Sequence, residues 1–302
     1  MAESGPRRDT RGIVDAAKLF ARVHFRRREP AVPLRPYVEH YWLIDWDLAE
    51  PFLSHVVPHP SVNIVFQRYG RSGAGELDAD GFGEVAGVGL ELFTQKLEGH
   101  GRVCGIQFRP GGFRPFLPGR PVSELTGRRV GLPEVFSGTS AVPTAVLGPQ
   151  EEDERVAALD GFLLAIGPAA DPQAERAVAL AERIRRDRSI RRVDEVADAA
   201  GVSVRQLQRL FAAYVGVSPK WVILRHRVHE ALERAGTDAT TDWAALAAEL
   251  GYSDQAHLVR DFTARVGVPP TAYAQSHPPP AATGPAQSPP RSAATGRTRG
   301  CQ

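Results

Sequence analysis

The sequence is poor in cysteine, with only Cys104 and Cys301 among its 302 residues. So few thiols exclude a cysteine zinc cluster and a disulfide framework, and they indicate a reducing compartment. The chain also lacks any run of about eighteen apolar residues, so we expect no membrane-spanning helix. The first stretch, "MAESGPRRDTRG", contains no apolar segment, so we expect no secretory signal peptide. These absences together predict a cytoplasmic protein.

A strong charge of either sign is missing too. The formal net charge is +2, with 42% hydrophobic and 24% charged residues, which is typical of a soluble globular protein. This mild positive charge is compatible with a nucleic-acid partner but does not by itself indicate one. The length is sufficient for two domains, each with its own core.

Two bodies of different composition lie between two irregular ends, which predicts an α+β chain. Residues 1–24 are polar and arginine-rich and are predicted to be loose, and the Pro/Ala/Gly/Ser-rich stretch 276–302 is predicted to be a disordered tail. Residues 25–167 contain aromatic and β-branched runs broken by Pro and Gly, which predicts a β-rich, barrel- or sandwich-like domain ending in a helix. Residues 168–172 break the chain and predict a linker. Residues 173–275 have helical periodicity throughout and predict about seven helices and no sheet.

An internal repeat stands out in the helical body. "VADAAGVSVRQLQRLFAAYVGVSP" aligns with "LAAELGYSDQAHLVRDFTARVGVPP", so that Gly201 matches Gly251 and each copy closes on Gly-x-x-Pro. Each copy has a helix, a glycine that permits a left-handed turn, and a second helix. The pattern predicts a helix-turn-helix written twice.

Each copy has an apolar face at helical spacing. Ser203 with Gln206 predicts a capping box at the second helix of the first copy, and Asp242 and Asp254 predict caps in the second copy. The residues predicted to close the two small cores are Val193, Val196, Ala197, Leu207, Leu210 and Phe211, and then Leu246, Ala247, Leu250, Tyr252, Leu258 and Phe262.

The other face of each second helix is polar. One such face alone is usually an ordinary solvated surface, but two copies joined by a rigid helix would present two reading heads about 34 Å apart, the length of one DNA turn. Arg and Gln side chains form bidentate hydrogen bonds to base edges in a major groove. The candidate base-reading residues are Arg205, Gln208 and Arg209 in the first copy, and Gln255, Ala256, His257 and Arg260 in the second.

The joining segment, Ser218 to Gly236, predicts one long helix between the copies. Its apolar stripe is predicted to comprise Trp221, Leu224, Val228 and Leu232. Basic residues near its start are placed to reach DNA phosphates, which strengthens binding without reading sequence. The candidate phosphate-binding residues are Ser203, Lys220, Arg225, Arg227 and Arg265.

The paired motif resembles the C-terminal DNA-binding domain of AraC-type transcription regulators. The stretches "LQRLF" with "GVSP", and "GYSDQAHLVRDF" with "GVPPTAY", carry the resemblance over about a hundred residues. It implies binding of double-stranded promoter DNA through both recognition helices at the bacterial nucleoid, and contact with RNA polymerase. One departure is Val259, where the family usually has a small polar residue, followed directly by Asp261. The second head is therefore expected to read few bases and to act mainly in backbone positioning.

The first body resembles the N-terminal domain of a subgroup of these regulators. "RPYVEHYWLIDWDL", "VVPHPSVNIVFQ" and "GIQFRPGGFRPFL" are among the stretches that carry this resemblance. It implies an effector-binding or homodimerising role without naming the small molecule. Trp42, Trp46, Phe66, Phe108 and Arg109 form the candidate effector pocket, with core packing and a solvated turn arginine as the alternatives.

Two other functions compete with this interpretation. A metal-dependent or small-molecule enzyme on a cupin-like barrel would use His55, His59, His40 or His100, but their spacing does not form a tight ligand set, so we expect no metal, no cofactor and no catalytic residues. Cys104 lies in an apolar run and is expected to be an inert buried thiol. A pure protein-interaction module would have no salt-dependent affinity for DNA.

Overall fold

The computed structural model of the chain describes residues 12–69, 81–237 and 241–276. In these ranges an antiparallel sheet is followed by a body of helices, which confirms the predicted order of a β-rich domain before an all-α domain. The outer parts of both predicted tails, residues 1–11 and 277–302, lie outside the described residues.

One six-stranded sheet forms the N-terminal body. Its spatial order is β1-β2-β5-β3-β4-β6, and all neighbouring strands are antiparallel. Within the described ranges the edge strands β1 and β6 do not pair with each other, so the sheet is open. Two of its strands, β2 and β5, are much longer than the short strands expected. The strands are β1 (Val23–Arg28), β2 (Val38–Val56), β3 (Asn63–Tyr69), β4 (Phe82–Ala86), β5 (Phe93–Phe108) and β6 (Arg129–Gly131).

The two faces of the sheet have different roles because side chains alternate along each strand. On β2, Tyr41 and Leu43 are fully buried on one face, in the main core. Trp42 and Ile44 point to the opposite face and belong to a smaller cluster. The first face is covered by helices, and the second borders a cavity.

Among the residues that the structure describes, four α-helices accompany the sheet. A buried ion-pair cluster anchors the longest of them, because Arg155 Nη1 contacts Asp45 at 3.1 Å, while Asp160 Oδ1 accepts from the Tyr41 hydroxyl at 2.8 Å. The first helix and β1 begin inside the stretch predicted to be loose, so that prediction is wrong for residues 12–24, where apolar side chains such as Leu19 are buried. The helices are α1 (Ala16–Phe20), α2 (Leu132–Val135), α3 (Val142–Leu147) and α4 (Glu152–Ile166).

In the described part of the C-terminal body there are seven helices, which matches the number that the periodicity predicted. Most residues predicted to close the two small cores are buried, among them Leu207, Phe211, Leu258 and Phe262, whereas Val193 and Leu210 are half-buried. The helices are α5 (Pro172–Arg186), α6 (Val193–Ala199), α7 (Val204–Tyr214), α8 (Pro219–Thr237), α9 (Trp243–Glu249), α10 (Gln255–Val266) and α11 (Pro270–Ser276). None of the helices in the described ranges combines the length and the apolar character needed to cross a bilayer.

The two bodies share their cores. Val57, which follows β2, packs in one cluster with Val228 and Ala231 of α8. Val88, which follows β4, packs in a second cluster with Leu207 and Val222 of the helical body. The long helix α8 therefore contacts the sheet domain as well as both helix-turn-helix copies.

Candidate nucleic-acid interface and ligand cavity

The turns of the two helix-turn-helix copies have the same backbone geometry. Gly201 and Gly251 have φ values of +63° and +74°, a left-handed conformation that glycine adopts without steric cost. The Val202 amide donates to the Ala197 carbonyl at 3.0 Å, and the Tyr252 amide donates to the Ala247 carbonyl at 2.9 Å. The aligned residues therefore perform the same structural task in each copy.

Side-chain caps fix the first turn of both candidate recognition helices. Ser203 Oγ accepts from the Gln206 amide at 3.3 Å, while Gln206 Oε1 accepts from the Ser203 amide at 2.8 Å. Asp254 Oδ1 accepts from the His257 amide at 2.7 Å, and Asp242 caps α9. All the predicted caps are present, so both recognition helices begin at defined residues.

The predicted base-reading residues lie on exposed faces. Around them, Leu207 and Phe211 on α7 and Leu258 and Phe262 on α10 turn inward and are fully buried. Val259 is half-buried and so contributes less to the outer surface. The exposed side chains are Arg205, Gln208 and Arg209 on α7, and Gln255, Ala256, His257 and Arg260 on α10.

Arg225 does not lie where a phosphate could reach it. Its side chain is only 1% exposed, it donates to the Leu90 carbonyl at 3.1 Å, and its guanidinium lies 4.4 Å from the Trp221 ring centre. Burial lowers the pKa of Arg225 to about 10, with Arg265 adding to the effect. The predicted phosphate role is wrong, because this face of α8 packs against the sheet domain.

Arg227 and Arg265 are engaged inside the helical body. Arg227 donates to the Arg191 carbonyl at 2.8 Å and the Gly251 carbonyl at 3.2 Å, so it links the two copies. Arg265 Nε forms an ion pair with Asp261 at 3.0 Å, and Asp261 also accepts from the Tyr252 hydroxyl. Both arginines are half-buried, whereas Lys220 and Ser203 are exposed.

A cavity of about 240 Å³ lies on the second face of the sheet. Trp42 and Trp46 line it, as predicted, together with Ile44, Val65 and Val103 between and beside them. The wall is mainly apolar, with Tyr69 5.7 Å from Trp46 between ring centres. This cavity has room for a small organic molecule.

The other members of the predicted pocket lie elsewhere. Phe66 is buried in the main core on the opposite face, in edge contact with Phe162, because it alternates with the cavity-facing residues of β3. Phe108 is also in that core and borders a second, smaller cavity. Arg109 borders the smaller cavity too, but it forms an ion pair with Glu39 at 2.6 Å.

The histidines of the sheet domain do not form a metal-ligand set. His55 Nδ1 contacts Thr94 Oγ1 at 3.0 Å, and His59 packs edge-to-face on His229 of α8, with ring centres 4.4 Å apart. Across the ranges that the structure describes, no group of three or more His, Cys, Asp or Glu residues is arranged to hold a metal ion. Burial raises the pKa of the Cys104 thiol to about 11, which keeps it protonated at neutral pH.

Sequence reasoning missed several residues around the cavity. Gly101 and Gly105 of β5 lie directly opposite Trp46 and Trp42 in the strand register. Arg27 of β1 pairs with Trp42 from the other side. The Trp-x-x-x-Trp and Gly-x-x-x-Gly spacings were readable signals, but only the pairing of β2 with β5 shows that they face each other.

Two family models match the chain. Residues 196–276 match a model described as "Helix-turn-helix domain". Residues 26–131 match a model described as "Domain of unknown function (DUF6597)". No curated protein gives a significant sequence match.

Solved structures of ToxT from Vibrio cholerae are similar to this chain. One at 1.65 Å resolution has 10% identity, covers 79% of this chain and 98% of that chain, and gives a TM-score of 0.41. A second has 9% identity, coverage of 79% and 97%, and a TM-score of 0.40. A third, with bound unsaturated fatty acid, has 12% identity, coverage of 82% and 96%, and a TM-score of 0.39. At this level of similarity the three structures identify no ligand for the present chain.

Proposed function

We propose that this chain, which carries an AraC-type helix-turn-helix domain behind an N-terminal domain of unknown function, is a transcription regulator that binds specific promoter sequences. The domain type supports DNA binding and transcription regulation. One observation carries the sequence-specific part: two motifs with equivalent turn hydrogen bonds each leave an exposed polar face on the second helix. Such a pair suits two successive major grooves on one side of a duplex.

The first recognition helix is proposed to read most of the sequence. Arg205, Gln208 and Arg209 are exposed on α7, and Ser203 holds the helix start by its cap. Arg forms bidentate bonds to guanine and Gln forms bidentate bonds to adenine in the major groove. This helix therefore offers donors for both purines.

The second recognition helix is proposed to read fewer bases. Gln255, His257 and Arg260 are exposed on α10, but Asp261 beside them is committed to Tyr252 and Arg265. Val259, next to Arg260, is half-buried and apolar, so it offers no hydrogen bond to a base edge. We assign α10 mainly to positioning on the DNA backbone, together with Ser203 and Lys220 elsewhere in the domain.

The sheet domain is proposed to bind a small-molecule effector in its cavity and to modulate DNA binding. Its shared cores with the helical body support such a role, because they place the sheet domain in direct contact with the helix that joins the two copies. We further propose that the chain acts in the cytoplasm, on nucleoid DNA, by contact with RNA polymerase, and that a homodimer is one of its working forms. No catalytic step is needed for this function.

Selection of bound sequences from random DNA, followed by footprinting, tests the proposal. The expected result is an asymmetric site that protects two adjacent major-groove faces. Arg205→Ala should weaken binding to the selected site by about 1–3 kcal/mol and relax the choice of base at one position. Arg120→Ala, on the sheet domain, serves as the matched control and should change neither quantity.

The contrary outcomes are equally definite. Equal losses for Arg205→Ala on the selected site and on random DNA would remove Arg205 from the base-reading set. A chain that folds but shows no salt-dependent DNA affinity would favour a protein-interaction module.

A further inference from the structure

Two tryptophans form a flat aromatic floor on the cavity face of the sheet. Trp42 and Trp46 lie four residues apart on β2, about 13 Å along the strand, and so point to the same face. Each lies opposite a glycine of β5, namely Gly105 and Gly101. A Cβ atom at Gly105 would lie 2.0 Å from the Trp42 ring, and one at Gly101 would lie 2.2 Å from the Trp46 ring. Both indoles therefore lie flat across the neighbouring strand, over backbone that has no side chain.

The two indoles differ in accessibility. Trp46 is buried, its Nε1 donates to the Glu98 carbonyl at 3.2 Å, and Tyr69 packs against its ring. Trp42 is only half-buried and lines the cavity. Trp42 thus presents ring surface to the cavity, while Trp46 closes the far end. Offset stacking on such a surface favours a flat aromatic ligand over an aliphatic chain.

The strand register places polar groups at one end of this floor. In the row beyond Trp42, His40 pairs with Gln107, and Gln107 pairs with Asn63 on its other side. Arg27 lies in the Trp42 row, on β1. All four residues line the cavity, whereas the next rows toward Trp46 are mainly apolar and aromatic. A ligand that follows this arrangement has one polar end and one aromatic end.

The charged side chains around the cavity determine which charge the polar end of the ligand should carry. Arg27 lines the cavity beside the polar side chains of His40 and His59, and none of the described lining residues is Asp or Glu. Arg129 also lines it, but its charge is offset by an ion pair with Glu84. Tryptophan faces also attract cations, but the neighbouring arginines would repel a cationic ligand. An acidic group is therefore the complementary partner. The volume of about 240 Å³ exceeds the roughly 150 Å³ in which an engineered apolar cavity holds benzene.

We propose that this cavity binds a flat aromatic acid, with its ring stacked on Trp42 and its carboxylate toward Arg27, His40 and Gln107. This proposal specifies the effector of the proposed function, and an effect of the ligand on transcription rests on that proposed function. Binding itself is independent of DNA and is tested separately.

Titration calorimetry of the full chain with three probes tests the proposal. Coumarin-3-carboxylate is a flat aromatic acid, decanoate is an aliphatic acid, and N-methylquinolinium is a flat aromatic cation. Coumarin-3-carboxylate should bind about tenfold or more tightly than decanoate, and the cation should not bind detectably. Tighter binding of decanoate, tighter binding of the cation, or no binding of the aromatic acid to folded protein would overturn the proposal.

Variants locate the binding site. Trp42→Leu should weaken coumarin-3-carboxylate about tenfold and leave decanoate within about threefold, while Trp42→Phe should retain most of the aromatic binding. Arg27→Gln should weaken both acids, since it removes charge and not ring surface. If Trp42→Leu fails to fold, Gly105→Ala displaces the same indole and should give the same loss. Unchanged affinity in the folded Trp42 or Gly105 variants would place the ligand elsewhere.

DNA binding without any probe is measured on the same preparations. A chain that binds coumarin-3-carboxylate as expected but has no affinity for DNA would contradict the proposed function and leave the cavity proposal standing. Normal DNA binding with no binding of the aromatic acid would contradict the cavity proposal and leave the proposed function standing.

Discussion

At the scale of single residues, Asp45 shows how one carboxylate joins sheet and helix. It lies on β2 and contacts Arg26 and Arg102 of the neighbouring strands and Arg155 of α4. Burial raises the pKa of Asp45, but hydrogen bonds from Arg26 and Arg102 and the charge of Arg155 outweigh burial and lower the pKa to about 2. A buried arginine on a helix is thereby neutralised by a single strand residue.

We predict that Asp45→Asn lowers the free energy of unfolding at pH 7 by about 2 kcal/mol or more, since a lowering of the pKa from 3.8 to about 2 corresponds to that amount. Because the folded pKa is below the ordinary value, this stabilisation is fully present above about pH 4 and disappears as the pH falls toward 2. Urea unfolding of both proteins from pH 7 down to 2.5 measures it. Asp153→Asn, whose carboxylate is 84% exposed beside Arg28, is the control and should change stability by less than about 0.5 kcal/mol. A stability difference for Asp45→Asn that stays constant over this pH range would contradict the assignment.

Arg225 and Lys220 share one helix but have opposite surroundings. Arg225→Met should keep the free energy of unfolding within about 1 kcal/mol, because an apolar side chain of similar length replaces a buried charge. It should also leave the salt dependence of DNA binding unchanged. Lys220→Ala should reduce the slope of log affinity against log salt by about 1. Anisotropy titrations at several salt concentrations distinguish the two variants. A flatter slope for Arg225→Met would mean that Arg225 contacts a DNA phosphate.

The sequence could predict which residues of the recognition helices face outward but not which arginines of α8 do. Arg205 and Arg209 lie opposite Leu207 and Phe211 within one short helix, so local periodicity determines their exposure. Arg225 is covered by Leu90, 135 residues earlier in the chain. Such burial depends on how two domains pack, and no pattern within α8 records it.

At the scale of elements, the most predictable features were those made by neighbouring residues. Caps at Ser203 and Asp254 and the glycine turns follow from a few residues each. The predicted pocket, by contrast, mixed two faces of one sheet. Trp42 and Phe66 lie on different strands, and the face each one uses follows from strand register rather than from residue type.

The two equivalent turns should respond differently to alanine. At Gly201 a Cβ would meet no atom within 4 Å, so Gly201→Ala should cost only the backbone strain, about 1 kcal/mol. At Gly251 a Cβ would lie 2.8 Å from Arg191 Cδ, so Gly251→Ala should cost more, about 2 kcal/mol. Denaturant unfolding measures both. Gly161→Ala in α4, with open space and ordinary helical backbone, should instead stabilise by up to about 1 kcal/mol. Equal losses in the free energy of unfolding for Gly201→Ala and Gly251→Ala would mean that the Arg191 side chain moves away from the new Cβ atom without a measurable energetic cost.

At the scale of the whole molecule, the sheet domain packs against α8, the helix that joins the two helix-turn-helix copies. Pro58 lies beside His229 of α8, with 3.3 Å between the Pro58 carbonyl oxygen and His229 Nε2, and His59 lines the cavity while packing on the same histidine. Thr126 Oγ1 donates to the Gly216 carbonyl, in the turn between α7 and α8, at 2.7 Å. The cavity and the DNA-binding domain are thus joined by contiguous contacts rather than by a flexible linker alone.

If this packing couples the domains, a cavity in the shared core should loosen α8 and not only the sheet. Val57→Ala removes two methyl groups from a fully buried position between α8 and the sheet domain and should cost about 2 kcal/mol. Amide hydrogen exchange should then show faster exchange in α8, with the recognition helices less affected. Val65→Ala is the matched control, because Val65 is also a buried valine but lies on the cavity face of β3. This variant should speed exchange in the sheet but not in α8. Unchanged exchange in α8 for Val57→Ala would mean that the two domains touch without stabilising each other, and ligand binding in the cavity would then need another route to the DNA.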